Sequence, residues 1–122
     1  MDIVIKWIII FAFTVPLQAI SVVPLSPDDF SQKSIFNNWL LNRCIGKIEP
    51  ESKMMDDAFK SAAVWLEFSK LPTDAFNEGD GLVEKYLKLN FDGSVKSDYN
   101  VLKCTLLASS HEATSLFEKH DI

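Results

Sequence analysis

Residues 34–48, SIFNNWLLNRCIGKI, place Phe36, Trp39, Leu40, Cys44 and Ile48 at three- and four-residue spacing. That spacing draws a single apolar stripe along a helix. Upstream, Ser26 can cap the helix, with Pro27 in its first turn and Asp28 and Asp29 complementing the dipole. Gly46 and Pro50 mark where it stops. Downstream of Pro50 the pattern repeats through Met55, Ala58, Phe59, Ala62, Trp65 and Leu66. This second helix must end before Pro72, because a residue preceding proline avoids helical dihedrals. Thr73 then caps a third helix carrying Phe76, Val83, Tyr86 and Leu87. Gly79 and Gly81 fall inside it, which predicts a bend or a break.

Residues 91–98, FDGSVKSD, read as an inter-helical loop, with Asp92-Gly93 as its turn pair. Ser97 or Asp98 can cap a fourth helix that carries Leu102, Cys104 and Leu106. Ser109-x-x-Glu112 is a capping box that starts a short last helix with Ala113, Leu116 and Phe117. No segment alternates strongly enough to be a strand, and there are no repeats or low-complexity tracts. The expected fold is all-α, a compact bundle of four to five short helices with one disulfide.

The first 21 residues set the compartment. Lys6 gives a weakly basic start, and Trp7 to Val15 is an apolar run. The run is far short of the roughly 20 residues needed to span a bilayer. It fits the core of a secretory signal peptide, and Ala19-x-Ser21 offers small residues for cleavage after Ser21. Residues 1–21 are therefore expected to be a signal peptide and residues 22–122 one helical domain, with an uncleaved anchor as the alternative. Cys44 and Cys104 are the only cysteines. Their separation excludes CxxC redox and zinc patterns, and in an exported chain they most simply pair with each other. The alternative is two free buried thiols.

The net charge of −5 belongs wholly to residues 22–122, since Asp2 and Lys6 cancel in the leader. An acidic surface disfavours nucleic acid and anionic lipid. It is compatible with a basic protein partner, or with solubility alone. His111 and His120 stand nine residues apart, which is not the spacing of a helical metal pair, and both are expected to be solvated. No phosphate loop or serine elbow is present in the sequence, and the carboxylates of Glu49, Glu51, Asp56 and Asp57 lie on faces expected to be exposed. No catalytic residue, metal or cofactor is expected. The chemistry points to binding.

Four strings sharpen that reading: NRCI (42–45), AVWLEFSKLP (63–72), EGDGLVEKYL (78–87) and GSVKSDYNVLKC (93–104). In order and spacing they resemble the type VI secretion amidase immunity proteins, over residues 36–110. The resemblance implies a periplasmic, all-helical homodimer that binds a papain-like peptidoglycan amidase. Such an amidase cuts the wall peptide between D-glutamate and diaminopimelate. The immunity protein blocks its Cys/His groove, with a protruding loop entering the groove and a helix packed alongside. On this chain the loop is Asp92, Gly93, Ser94, Val95, Lys96, Ser97 and Tyr99, and the second contact is Glu78, Asp80 and Glu84 on the third helix. The bare residues also allow an ordinary connector at 92–98. Two other functions stay open at this point: a periplasmic acid-stress chaperone and a helical carrier of an apolar ligand.

Overall fold

A computed structural model describes residues 25–122. The proposed leader and its cleavage point lie outside the described residues. A short 3-10 turn, Pro27–Asp29, is followed by α1 (Gln32–Gly46), α2 (Lys53–Glu67), α3 (Thr73–Leu87), α4 (Asn100–Ala108) and α5 (His111–His120). Among the described residues every regular element is helical.

The caps show how local signals were resolved. Ser26 does not start α1. Its N–H donates to the Asp29 carboxylate at 2.8 Å, which closes the 3-10 turn. The chain then extends at Phe30, whose ring meets Trp65 of α2 edge-on at 5.4 Å. That tertiary contact interrupts the helix, and α1 restarts at Ser31, whose Oγ accepts from Ser34 N–H. Ser52 caps α2 in the same way. Pro72 rather than Thr73 stands at the cap of α3, and Ser110 rather than Ser109 caps α5 by accepting from Ala113 N–H at 3.0 Å. The Ser109–Glu112 capping box therefore does not form. Glu112 turns instead to α3.

α1 is the central helix. It packs against each of the other four, and its Ile35, Phe36, Leu40 and Cys44 are buried. Phe36 lies within 6.0 Å of Trp39 and 5.9 Å of Phe76, and Phe117 from α5 closes the cluster at 6.4 Å. Such aromatic contacts add about 0.5–1.5 kcal/mol each beyond area burial. α2 presents only Ala58 and Ala62 as fully buried residues, so it can lie close to α1. Leu66, expected on the core face, is 42% exposed, on the rim of a groove between α2 and α3.

Cys44 and Cys104 form the expected disulfide, with Cα atoms 5.4 Å apart. Closing 60 residues restricts the unfolded chain by roughly 4 kcal/mol in the chain-entropy account. The bridge also fixes the rotation of α4. With Cys104 facing α1, Leu107 and Lys103 turn inward, while Leu102 and Leu106 lie about 200° away and are 42% exposed. The core face of α4 is thus the side opposite the two leucines noted in the sequence.

α3 runs unbroken through both glycines. Gly79 sits against α1, and a Cβ there would stand 2.7 Å from Trp39 Cζ3 and 3.2 Å from Leu40 Cδ2. At Gly81 a Cβ would meet nothing within 4 Å. Replacing Gly79 with Ala should therefore destabilise the fold by about 1–3 kcal/mol through overpacking. Gly81→Ala should stabilise it by up to about 1 kcal/mol. Chemical denaturation midpoints of the two variants check this. A stabilised Gly79→Ala would contradict the close α1–α3 approach.

Candidate functional site

The third-helix carboxylates come first. Asp80 and Glu84, one helical turn apart, face α1; Glu78, about 200° from Asp80, faces α5. Arg43 reaches Asp80 in a forked contact, Nε to Oδ1 at 2.9 Å and Nη2 to Oδ2 at 3.1 Å. Its guanidinium also lies 4.6 Å from the Phe59 ring centroid, which orients the fork. Lys47 meets Glu84 at 2.7 Å. On the other flank Glu78 takes Lys119 at 2.7 Å and His120. Lys85 and the Tyr86 hydroxyl both donate to Glu112 of α5, at 2.7 and 3.0 Å. All three acidic candidates on α3 thus have intramolecular partners and hold the helix between α1 and α5. They do not gather into a single acidic face. His120, expected in solvent, is only 12% exposed in its side chain and belongs to this fastening.

The loop candidates are brought together. Asp92, Gly93, Ser94, Val95, Lys96 and Ser97 are exposed, and Val95 is 69% so. Tyr99 differs from the rest. Its N–H donates to Ser97 Oγ at 3.1 Å, its hydroxyl donates to the Val95 carbonyl, and its ring lies over Gly93. A side chain at position 93 would collide with that ring, which explains the glycine. The loop springs from the end of α3 and runs into α4 one residue before the turn that carries Lys103 and Cys104.

Free cysteine chemistry is not supported. Both thiols are consumed in the bridge. The interior is filled by the aromatic and aliphatic cluster of α1, α3, α4 and α5, and the concavities between helices are grooves open at the surface. No group of three or more His, Cys, Asp or Glu that could hold a metal occurs among the described residues. Arg43, Lys47, Lys103, Lys119 and His120 were not singled out in the sequence as functional partners. Arg43 and Asp80 do stand inside two of the four strings, NRCI and EGDG, so their pairing had a signal.

The scaffold is thus a small helical domain, stapled by one disulfide and carrying an exposed loop between α3 and α4. The family model for Tai4, the type VI secretion system amidase immunity protein, matches residues 34–117. The structure of the effector Tae4 from Salmonella typhimurium in complex with the immunity protein Tai4 from Enterobacter cloacae holds a chain 41% identical to this one, with TM-score 0.72. The match covers 77% of this chain and 97% of that one. The effector–immunity system Tae4/Tai4 from Salmonella typhimurium gives 26% identity, TM-score 0.73, and coverage of 81% and 98%. A structure from work on type VI-secreted toxins and self-resistance proteins in Serratia marcescens, at 18% identity, TM-score 0.72 and coverage of 80% and 85%, shares the fold. No curated protein matches the sequence. The chain belongs to the Tai4 family of type VI secretion system amidase immunity proteins.

The ion pairs between helices bear on the acid response. Glu78 is held below the ordinary glutamate value of 4.5 by hydrogen bonds from Lys119 and then His120. Glu84 is lowered by Lys47, and Glu112 by Lys85 and also Tyr86. A carboxylate with a depressed folded pKa stabilises the fold above its unfolded value and loses that contribution as pH falls through the folded one. Melting temperature should therefore drop as pH is lowered below 4.5. In Glu78→Gln/Glu112→Gln, thermal melts from pH 7 to pH 3 should show a lower Tm at neutral pH and a shallower acid decline. An unchanged profile would mean that these exposed pairs contribute nothing.

Proposed function

We propose that this protein protects its cell by binding a type VI secreted peptidoglycan amidase and occluding the Cys/His groove of that enzyme, without catalysing a reaction itself. The observation that carries the proposal is the family match across residues 34–117, together with the 41% identity to a chain from a Tae4–Tai4 complex. The loop of Asp92, Gly93, Ser94, Val95, Lys96, Ser97 and Tyr99 is the inserting element in this reading. Its exposure supports that role, as do the donors and acceptors of Ser94, Lys96 and Ser97. The α3 carboxylates are the weaker part of the surface, since their intramolecular partners already satisfy Glu78, Asp80 and Glu84.

Periplasmic location is part of the same proposal. The leader at residues 1–21 supports it, and so does the disulfide, which persists in an oxidising compartment. Homodimerisation, implied by the resemblance, is also included. The exposed side chains of Val101, Leu102 and Leu106 supply uncharged apolar area for it on α4.

Two experiments test the proposal. Purified mature protein should inhibit peptidoglycan hydrolysis by a Tae4-type amidase, with the Salmonella typhimurium Tae4 as the assay enzyme. Replacing Gly93–Lys96 by a short neutral linker should abolish inhibition and leave the circular dichroism spectrum intact; a folded variant of undiminished potency would reject the loop. For export, cell fractionation followed by intact-mass measurement should find a periplasmic species beginning at Val22. A cytoplasmic species retaining Met1–Ser21 would overturn that part.

A further inference from the structure

Tyr99 is the last residue before α4 and adopts the left-handed conformation, φ 54° and ψ 37°. A bulky side chain rarely takes that conformation unless its surroundings hold it there. Here the surroundings are the loop itself. The ring covers Gly93, the hydroxyl bonds the Val95 carbonyl, and the N–H bonds Ser97 Oγ. One side chain and its own amide thus touch three alternate positions of the loop.

Lys103 completes the arrangement from below. It is the buried charged residue of the core, 6% exposed. Its Nζ donates to the Leu87 carbonyl at 3.3 Å and to Asn100 Oδ1 at 3.2 Å. Leu87 ends α3 and Asn100 begins α4, so this ammonium ties the two stems of the loop. The Leu87 carbonyl is one of the unpaired acceptors at a helix C-terminus, where a cation is favoured. Cys104, the next residue, is bonded to α1. The base of the loop is therefore fixed on both sides before any partner arrives.

The geometry points to Tyr99 and Lys103 as positioning residues: they hold the 92–98 loop in its binding shape and do not themselves contact the amidase. This inference rests on the loop reading given above. It moves Tyr99 from the contacting group to the supporting one and adds Lys103, which no contact argument would select. Asp92, Ser94, Val95 and Lys96 remain as the presented surface.

A preformed loop and a loop that must be ordered on binding differ in kinetics. When only a fraction of molecules is competent, apparent affinity falls by that fraction. The loss then appears in the association rate, whereas loss of a direct contact appears in dissociation. The test uses the disulfide-bonded mature protein, with Tyr99→Gly, which keeps the left-handed backbone, and Lys103→Met, which keeps the buried stem. In the free protein, trypsin should cut after Lys96 about tenfold faster in both variants, in line with a loss of ordering. The fragments separate only after reduction, because Cys44–Cys104 spans the cut. Against the Tae4-type amidase that the wild type inhibits, surface plasmon resonance should show kon lowered about tenfold and koff nearly unchanged. Lys103→Arg, which retains a cation at the stems, should recover both values.

Wild-type cleavage and wild-type kon in both variants would overturn the inference. So would a loss confined to koff, which would make the residues contacts. If Tyr99→Gly fails to fold, Lys103→Met alone decides. Should replacement of Gly93–Lys96 leave inhibition intact, the loop reading fails, and the positioning role in binding falls with it even where cleavage accelerates. Should that replacement abolish inhibition while Lys103→Met binds at the wild-type kon, only the positioning role fails.

Discussion

The Cys44–Cys104 bridge is the constraint on which the rest of this molecule is arranged. It joins the central helix to the shortest one, α4, which is nine residues long. A helix of that length is marginal by itself, since isolated helices need roughly 12–15 residues even with favourable sequences. Bonded to α1, α4 gains a fixed rotation. Lys103, Cys104 and Leu107 point inward as a consequence, and Leu102 and Leu106 are left outside. The orientation of Lys103 brings its ammonium to the end of α3, and the start of α4 defines where the 92–98 loop must land.

The second level of organisation is electrostatic and acts on α3. Its acidic and basic residues divide between two flanks, with Arg43 of α1 and Lys47 at the α1 C-cap on one side and Glu112, Lys119 and His120 of α5 on the other. Exposed pairs of this kind contribute little to stability individually. The forked Arg43–Asp80 contact is the most ordered of them, being backed by Phe59 and only partly exposed. Together with the close approach at Gly79 they set the position of the helix from which the loop departs.

Much of this was legible in the residues. The stripes of α1 and α3, the loop at 91–98, the bridge and the family strings correspond to observed features, whereas Leu66, Leu102 and Leu106 lie outside the core. Local signals failed where a distant contact or a one-residue ambiguity decided. Ser26-Pro27-Asp28-Asp29 carries every mark of a helix start, yet Phe30 is drawn to Trp65 and the helix waits for Ser31. Ser109 and Ser110 are equivalent as caps until Glu112 is taken by Lys85. Gly79 and Gly81 look alike in sequence, and only the neighbour across α1 separates them. The inward lysine of α4 follows from treating Cys104 as a core position. The left-handed Tyr99 had no local signal, because glycine or asparagine is the usual occupant of such a site.

The bridge also bears on timing. Its two ends are separated by most of the domain, so neither half can be locked until α4 has left the ribosome and met an oxidant. Such bonds form and persist in oxidising compartments. Before the bond forms, the chain lacks roughly 4 kcal/mol of cross-link stabilisation, a large share of what a domain of this size commands. Until that bond forms, the base of the 92–98 loop has no covalent tie to the central helix, so oxidation is the step at which this domain acquires its final stiffness.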